Sequence, residues 1–592
     1  MTHTRLPNVP WQITGNHWVA LPCIHPADAS IHAVGMLHRG ARSAVEFAGH
    51  EDFVNGTGPA LLKPVIEIDG ELRDLAAGTM VWERAAHWLP TFTCTFGDVV
   101  VRGTIFAPYG RDVDVAGAVY VFALENRGAT AHQVVVRLGG VLGHRQLRVR
   151  TRRPAEDASR VTRSEKGLIL LEGTAQPGFA ALALGAEADA EVHVDGTNFS
   201  LSRAMTLAPK AAGHAAFYLT AGPERDGAEA TAAVMMRRGW RGLLTATREA
   251  LQLLEQSTGL EAIDRLINRN VIFAYFYGVG RALDDAHFYL VRTRVPWHSE
   301  GVTIRDWHAL MWTLPAVQLA DPPLARELLY RVCELHGYAP GGGVHYFEGT
   351  VFEPGFALEG AAAYPIAVDR YIRDTGDERL VDEPIIAETL YLVNEDLRDR
   401  RDKRFPLYST DVSPSGERPA HPFTLHANAA TAFALDVLRR TLDEESAREV
   451  EDPAAVRAAI KRQFSSDRDP KTRLAASIDL TGEKSYEDIA SGSAFWIPLY
   501  EAIDRNDSLF RRTVKGIPVT RSLLEREIAR LVGPDAPEVL EWLRRASLSG
   551  GVASEYVDDE GRAVGNGGDA ALSGLLAATA WLAVHVMGIR PA

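Results

Sequence analysis

The sequence predicts a multidomain chain of α and β structure, with an N-terminal antiparallel β-sandwich followed by a C-terminal (α/α)6 barrel. Three observations support this fold class. Short alternating apolar runs fill the chain up to Gly222, helical apolar spacing replaces them afterwards, and roughly a dozen helical segments follow, most of them ending at Gly, Pro or Asp. At 592 residues the chain is too long for one ordinary hydrophobic core, so we expect separate domains.

The first predicted domain covers residues 1–222. Residues 97–110, 117–128 and 132–143 are short runs rich in β-branched residues, broken by Gly, Pro, Asn and Asp. Period-two alternation of this kind is typical of antiparallel strands, because successive side chains point to opposite faces of a sheet. Many such short strands indicate a β-sandwich.

A helical linker is predicted at residues 223–255 and a helical catalytic domain at 256–592. Residues 226–256 combine helical apolar spacing with good helix-forming residues. The alternation of long and short loops beyond them favours paired helices that close into a ring, with loops at one end forming a site. A helical solenoid is the alternative, although no fixed-period repeat is present.

The amino-acid composition of the chain limits the classes of molecule that it can bind. The net charge of −14 argues against nucleic acid, whose binding depends on clustered Lys and Arg, and favours a small neutral substrate. The three cysteines have neither zinc-site nor disulfide spacing, as expected in a reducing compartment. No signal peptide pattern and no run of about 18 apolar residues occurs, so we expect a cytoplasmic protein without membrane contact. A homo-oligomer is left open.

Four loops of the helical half are rich in Trp, Tyr, His, carboxylates and Gly. They are residues 291–312, 339–360, 406–430 and 549–571. Aromatic faces pack on the apolar faces of pyranose rings, while carboxylates and Arg bind sugar hydroxyls through charge-assisted hydrogen bonds. These loops therefore indicate a saccharide site.

At these loops the chain resembles the α/α-barrel glycosidases: glucoamylases, trehalases, processing α-glucosidases and glycogen debranching enzymes. Residues 303–307, TIRDW, resemble the Trp-x-Arg-Asp segment of glucoamylases and debranching enzymes. The resemblance implies that Arg305 and Asp306 bind hydroxyls of the sugar beside the cleaved bond; the alternative is a helix-start Asp favoured by the helix dipole. Trp297 and Trp307 stand beside charged residues and are expected to line the site.

A second resemblance concerns the general acid. Residues 411–414, DVSP, and 425–429, LHANA, are similar to trehalases and processing glucosidases, in which the Asp is the acid. This implies Asp411 as the proton donor. His426 stands where those families often have Asp, and it is expected to be a hydroxyl-binding or structural residue. The chain lacks the Gly-aromatic pair that precedes the Asp in those families, and an ordinary Asp-x-Ser-Pro turn is the alternative.

A third resemblance concerns the base. Residues 554–558, SEYVD, with the Gly-Asn pair and the apolar helix that follow, resemble the glucoamylase segment that carries the catalytic base. This implies Glu555 as the base and places Tyr556 beside the substrate. The alternative is a solvated acidic turn.

Glu359 is the second candidate for the acid. It opens a helix that resembles the debranching-enzyme helix ending in Tyr-x-x-x-Thr-Gly-Asp, and in glucoamylases the acid comes from the middle of the barrel. If it is not the acid, Glu359 is expected to bind substrate or to cap its helix.

The expected function is an inverting, exo-acting glycoside hydrolase that cleaves an α-glucoside or a related short saccharide by general acid–base catalysis. No cofactor and no metal are expected, because the histidines lack a metal-binding spacing. A disaccharide phosphorylase of similar architecture is one alternative, and a catalytically silent carbohydrate-binding protein is another.

Overall fold

The computed structural model begins with antiparallel strands and continues with helices. The residues that it describes are 7–148, 155–157, 159–173, 180–187, 189–298, 301–465, 473–518, 522–565 and 567–592. The last strand of the first part ends at Gly222 and the first helix begins at Arg225. The predicted order of antiparallel strands and then helices is confirmed, whereas the domain boundaries and the count of six helix pairs remain predictions.

The first part contains nineteen strands among the described residues. They are β1 (Gln12–Gly15), β2 (Ala20–Ile24), β3 (Ala33–His38), β4 (Ser43–Ala48), β5 (Lys63–Ile68), β6 (Glu71–Arg73), β7 (Val81–Ala85), β8 (Leu89–Phe96), β9 (Val99–Phe106), β10 (Gly117–Asn126), β11 (His132–Val141), β12 (His144–Arg148), β13 (Ala155–Asp157), β14 (Ser159–Arg163), β15 (Ile169–Gly173), β16 (Ala181–Ala186), β17 (Glu191–Asp195), β18 (Asn198–Leu207) and β19 (Ala212–Gly222).

These strands form three antiparallel sheets. Their orders are β1-β2-β3-β4-β12-β13, β14-β15-β16-β19-β10-β9-β8-β7 and β17-β18-β11-β5-β6. The apolar faces of the sheets share one core, in which Phe122 stacks on Tyr120 and meets Phe92 and Phe217 edge to face. The alternating strands thus bury one face each, as their sequence pattern predicts.

The second part contains thirteen α-helices among the described residues. They are α1 (Arg225–Gln252), α2 (Glu261–Tyr277), α3 (Leu314–Ala320), α4 (Pro322–His336), α5 (Leu358–Thr375), α6 (Pro384–Arg400), α7 (Leu425–Thr441), α8 (Glu444–Glu449), α9 (Pro453–Phe464), α10 (Ser508–Lys515), α11 (Leu524–Arg530), α12 (Ala536–Arg545) and α13 (Ala570–Trp581). The short strands between them are β20 (Val279–Arg281), β21 (Phe288–Leu290), β22 (Thr303–Ile304), β23 (Val344–Tyr346), β24 (Val351–Glu353), β25 (Phe423–Thr424), β26 (Ser477–Ile478) and β27 (Lys484–Ser485).

Helices α2, α5, α7 and α13 are buried along most of their length. A helix that is apolar on nearly all sides must lie inside the protein, while α4, α6 and α9 bury one face and cover the outside. The last helix, α13, packs against α2, the first of the buried set. The last buried helix therefore lies beside the first one, as expected when the helices close into a ring.

Regular pairing fails between α9 and α10. Instead of long helices, this segment has 3₁₀ turns at Ala490–Gly492 and Ala494–Tyr500. Pro498 lies inside the second turn, where it can donate no backbone hydrogen bond, and Glu501 ends the turn in a left-handed conformation. Residues of both turns, among them Ser491 and Tyr500, line a cavity.

Polar contacts join the sheets to the helical ring. The guanidinium of Arg294 donates to the carbonyl oxygens of Asn16 and Phe276 at 2.7 and 2.9 Å. The hydroxyl of Tyr277 donates to the carbonyl of Thr14 at 2.8 Å. These bonds are buried, so each one fixes the orientation of one part on the other.

Within the described residues, no helix has the length and apolar composition needed to cross a bilayer. The three cysteines, Cys23, Cys94 and Cys333, are buried and not joined by disulfides.

Candidate functional site

The loops before α5, α7 and α13 gather at one end of the helical ring. There the polar segments singled out from the sequence come together, and we call this end of the ring the mouth. A cavity of about 760 Å³ reaches the mouth at Trp307. Trp307, Ser491 and Glu525 line it near the starts of the buried helices, and Asp374 and His585 line it at the far ends of α5 and α13. The cavity therefore follows the interior of the ring.

Arg305 and Trp307 follow β22 directly, and of the two only Trp307 lines the cavity. The guanidinium of Arg305 lies so close to the backbone of Gly416 that a Cβ there would approach Nη2 to 2.3 Å. The Trp307 ring is buried, lines the cavity and meets the His426 ring edge to face at 5.2 Å. An Arg beside an aromatic wall is the combination expected for holding a pyranose ring.

Asp306 lies between these two residues in sequence but faces another way. Its Oδ2 atom accepts a hydrogen bond from the backbone N–H of Gly341 at 2.8 Å, and its side chain is 2% exposed. Burial raises the pKa of Asp306 to about 7, although the hydrogen bond from Gly341 opposes this shift. The predicted role of Asp306 in sugar binding remains a prediction.

Glu359 and His426 form a buried pair between Trp307 and the 3₁₀ turn at residues 490–492. Glu359 Oε1 lies 3.4 Å from His426 Nδ1, and both side chains are 1% exposed. The other carboxylate oxygen of Glu359 is buried without a hydrogen-bond partner. A buried carboxylate with a free acceptor can receive a hydroxyl donated by a substrate.

Asp411 stands on the outer side of the mouth. Its backbone N–H donates to the carbonyl of Phe356, which places the loop over the start of α5. Its carboxylate accepts from Arg400 Nη1 at 3.0 Å, and the side chain is 53% exposed. Arg400 itself lies over the Phe356 ring.

Glu555 and Tyr556 occupy the opposite side of the mouth. The carbonyl of Glu555 accepts from the N–H of Leu524, which ties this segment to the start of α11. The carboxylate of Glu555 accepts a hydrogen bond from the Tyr556 hydroxyl, and its negative charge raises the pKa of Tyr556. The charge of Glu417, in the same loop as Asp411, raises this pKa further. The two loops thus face each other.

Glu525 is a site residue that the sequence analysis missed. Its carboxyl group lines the cavity, and burial raises its pKa to about 8, with Glu555 and Asp569 adding to the shift and Arg292 opposing it. In sequence, Glu525 is one of several charges in an ordinary amphipathic helix, so no local pattern could have indicated it.

Asp569 was also missed. It caps α13 by accepting from the N–H of Leu572 at 3.0 Å, and its Oδ2 atom accepts from Arg292 at 2.7 Å and lies 3.2 Å from His298 Nε2. Burial alone would raise its pKa, but Arg292 and His298 hold it well below the usual range.

Trp297, predicted to line the site, is buried beside this group and donates from Nε1 to the carbonyl of Gly568 at 3.1 Å. Its indole packs so closely on Gly567 that a Cβ there would approach Nε1 to 2.6 Å. Trp297 therefore supports the loop that carries Asp569. Trp312 and Trp496 are buried and also line the cavity.

Comparison with solved structures identifies the architecture. A bacterial glucoamylase solved with acarbose matches at a TM-score of 0.63 and 11% identity, over 98% of this chain and 95% of its own. The two proteins share their fold. A protein from the human microbiome described as a kojibiose phosphorylase matches at 0.58 and 11% identity, over 97% of this chain and 86% of its own. No protein-family model matches the sequence. No curated protein matches it either.

Proposed function

We propose that the protein is a carbohydrate-active enzyme, and specifically an exo-acting inverting glycosidase for an α-glucoside or a related short saccharide. The observation that carries the proposal is the surroundings of Trp307, whose ring meets His426, the partner of Glu359, and which lines one cavity together with Glu525. The fold shared with a glucoamylase supports the same assignment. Fold alone would not, because one fold hosts many reactions.

Glu555 is the proposed base. It accepts the Tyr556 hydroxyl, and this contact orients its carboxylate at the mouth of the cavity. In an inverting reaction the base deprotonates a water that attacks the anomeric carbon from the face opposite the leaving group. Arg305 and Trp307 would hold the sugar ring, while Glu359 and His426 would receive its hydroxyls at the bottom of the mouth.

Asp411 is the proposed proton donor, because its loop faces the Glu555 loop across the mouth. A donor and a base on opposite sides of the scissile bond leave room for the attacking water. Asp411 must first break its hydrogen bond with Arg400. Release of Arg400 would leave the Asp411 carboxyl free to contact the glycosidic oxygen, as a general acid must.

Glu525 is the rival donor, favoured by one observation. It already faces the cavity with a pKa of about 8, so it holds a proton at neutral pH without any rearrangement. Two neighbouring carboxyl groups in environments that separate their pKa values are a common arrangement for an acid and a base. Glu525, however, lies on the same side of the mouth as Glu555, whereas the donor and the base of an inverting enzyme lie on opposite sides of the scissile bond.

A disaccharide phosphorylase is the second candidate function, favoured by the similarity to the microbiome protein. Phosphate would then replace the activated water as nucleophile, and the reaction would need no base at Glu555. A carbohydrate-binding protein without turnover is the third.

The first experiment measures monosaccharide release from α- and β-linked disaccharides with and without phosphate. The wild type is compared with Glu555→Gln and with the control Glu560→Gln, whose carboxyl is 68% exposed. We expect phosphate-independent release that falls by about 10²–10⁴-fold in Glu555→Gln and not in the control. Phosphate dependence would establish the phosphorylase, and full activity of Glu555→Gln would refute the base.

The second experiment identifies the donor. Asp411→Asn and Glu525→Gln are assayed on a natural disaccharide and on a glycosyl fluoride, whose leaving group needs no protonation. The true donor variant loses activity on the disaccharide and keeps it on the fluoride, while the other variant affects both substrates alike. Proton NMR of the first-formed anomer tests inversion, and a retained anomer would overturn that part of the proposal.

A further inference from the structure

A second group of ionisable side chains surrounds Asp306, and none of its members lines the cavity. It consists of Asp306, His336 at the end of α4 and His345 in β23. One ligand atom from each residue lies within 4.8 Å of the other two, and the three residues are at most 3% exposed. Three separate chain segments thus converge on one buried point.

The polar atoms that meet there lack partners. Asp306 Oδ1, His336 Nδ1 and both ring nitrogens of His345 are buried without hydrogen bonds. Asp306 Oδ1 and His336 Nδ1 are 3.9 Å apart, which is too long for a hydrogen bond between them. Unsatisfied buried polar atoms are destabilising, so a group that satisfies these atoms together would stabilise the fold.

We propose that Asp306, His336 and His345 bind a structural divalent metal ion, with zinc as the favoured ion. Two imidazoles and a carboxylate are ligands that zinc prefers. A zinc ion lies about 2.0–2.2 Å from such atoms, so two ligands of a tetrahedral ion are about 3.4 Å apart. The 3.9 Å separation needs only a small contraction to reach this value.

The surroundings of His336 fit a metal ligand. Its other ring nitrogen bonds to the carbonyl oxygen of Phe347. Such a bond fixes the tautomer, leaving Nδ1 as the lone-pair nitrogen that faces Asp306, and it is the usual outer-shell partner of a ligating His.

The ion would have a positioning role. Asp306 stands between Arg305 and Trp307, and β22 immediately before them pairs with β23, which carries His345. A metal held by Asp306 and His345 would join this strand pair to the end of α4. It would thereby fix the loop that presents Arg305 and Trp307 to the cavity, without contacting a substrate.

The test uses the intact protein. We expect about one zinc per chain after purification, removal by 1,10-phenanthroline with a fall in melting temperature, and recovery of both on adding zinc alone. Cobalt added to the stripped protein should give the visible bands of a tetrahedral site with nitrogen and oxygen ligands. X-ray absorption should show two imidazoles at the bound zinc.

Variants locate the ion. Asp306→Asn preserves the side-chain shape, and we expect it and His345→Gln to weaken zinc binding more than about 100-fold. The control His421→Gln, at a His outside the cluster, should bind as the wild type does. If a variant fails to fold, the cobalt spectrum of the wild type decides whether the metal site exists. Absence of that spectrum, or equal zinc content in Asp306→Asn and wild type, would refute the proposal and leave buried water as the filler.

Discussion

Arg292 and Asp569 form a buried ion pair that joins the loop after α2 to the start of α13. The distance from Arg292 Nη2 to Asp569 Oδ2 is 2.7 Å, and the two side chains are 13% and 4% exposed. Asp569 also caps α13. One carboxylate therefore stabilises the helix start and connects it to the segment that follows α2, where the ring of buried helices closes.

Asp569→Ala should destabilise the helical part strongly. Removing one partner of a buried pair leaves an uncompensated charge on Arg292 and costs about 3–5 kcal/mol. Urea unfolding followed by helical circular dichroism measures the change. The control is Asp452→Ala. Asp452 caps α9 with a side chain that is 55% exposed, and its loss should lower the free energy of unfolding by about 1 kcal/mol. Equal losses would show that the pair contributes nothing beyond capping.

Glu525→Gln should change how stability depends on pH. In the folded protein burial raises the pKa of Glu525 from its ordinary value of 4.5 to about 8. Between these values the folded state binds more protons than the unfolded state, so this group contributes less stability as pH rises, by up to about 1.4 kcal/mol per pH unit. The free energy of unfolding of the variant should therefore rise relative to that of the wild type between pH 5 and pH 8. Parallel urea midpoints across this range would contradict the prediction.

Gly416→Ala should displace Arg305 and lower kcat/KM. The added Cβ would lie 2.3 Å from Arg305 Nη2, so the guanidinium must move, and a shift of about 1 Å at a substrate-positioning group costs up to about 10²-fold. Gly482→Ala is the matched control, because Gly482 also has positive φ but open surroundings. Activity is measured on the saccharide found in the release assay. Equal effects of the two variants would show that backbone strain, and not Arg305, is responsible.

Tyr277→Phe should weaken the junction between the sheets and the helices. The lost hydroxyl leaves the carbonyl of Thr14 without a buried hydrogen bond, at a cost of about 1–3 kcal/mol. Tyr338→Phe removes the same atom at a residue that is 56% exposed, and should have little effect. Calorimetry measures both melting temperatures. A Tyr277→Phe protein as stable as its control would show that packing alone holds the junction.

Local patterns predicted the order of strands and helices because the periods of two and 3.6 residues are properties of the chain itself. They do not account for the 3₁₀ turn at Ala494–Tyr500, which contains Pro498. For the site, one of the polar loops contributed Trp307 to the lining of the cavity. The polar loops could not indicate which way Asp306 or Asp411 points, since neighbours distant in sequence, Gly341 and Arg400, determine those directions.

The sequence by itself determined the two kinds of secondary structure and the segments that surround the cavity mouth, because composition and spacing act locally. Only the tertiary structure decided that Glu525 lies near Glu555, that Asp569 pairs with Arg292, and that two histidines converge on Asp306. Each of these relations depends on burial and on distances between segments far apart in the chain. The free energies of desolvation and of charge pairing that shape the site arise only once the chain has folded.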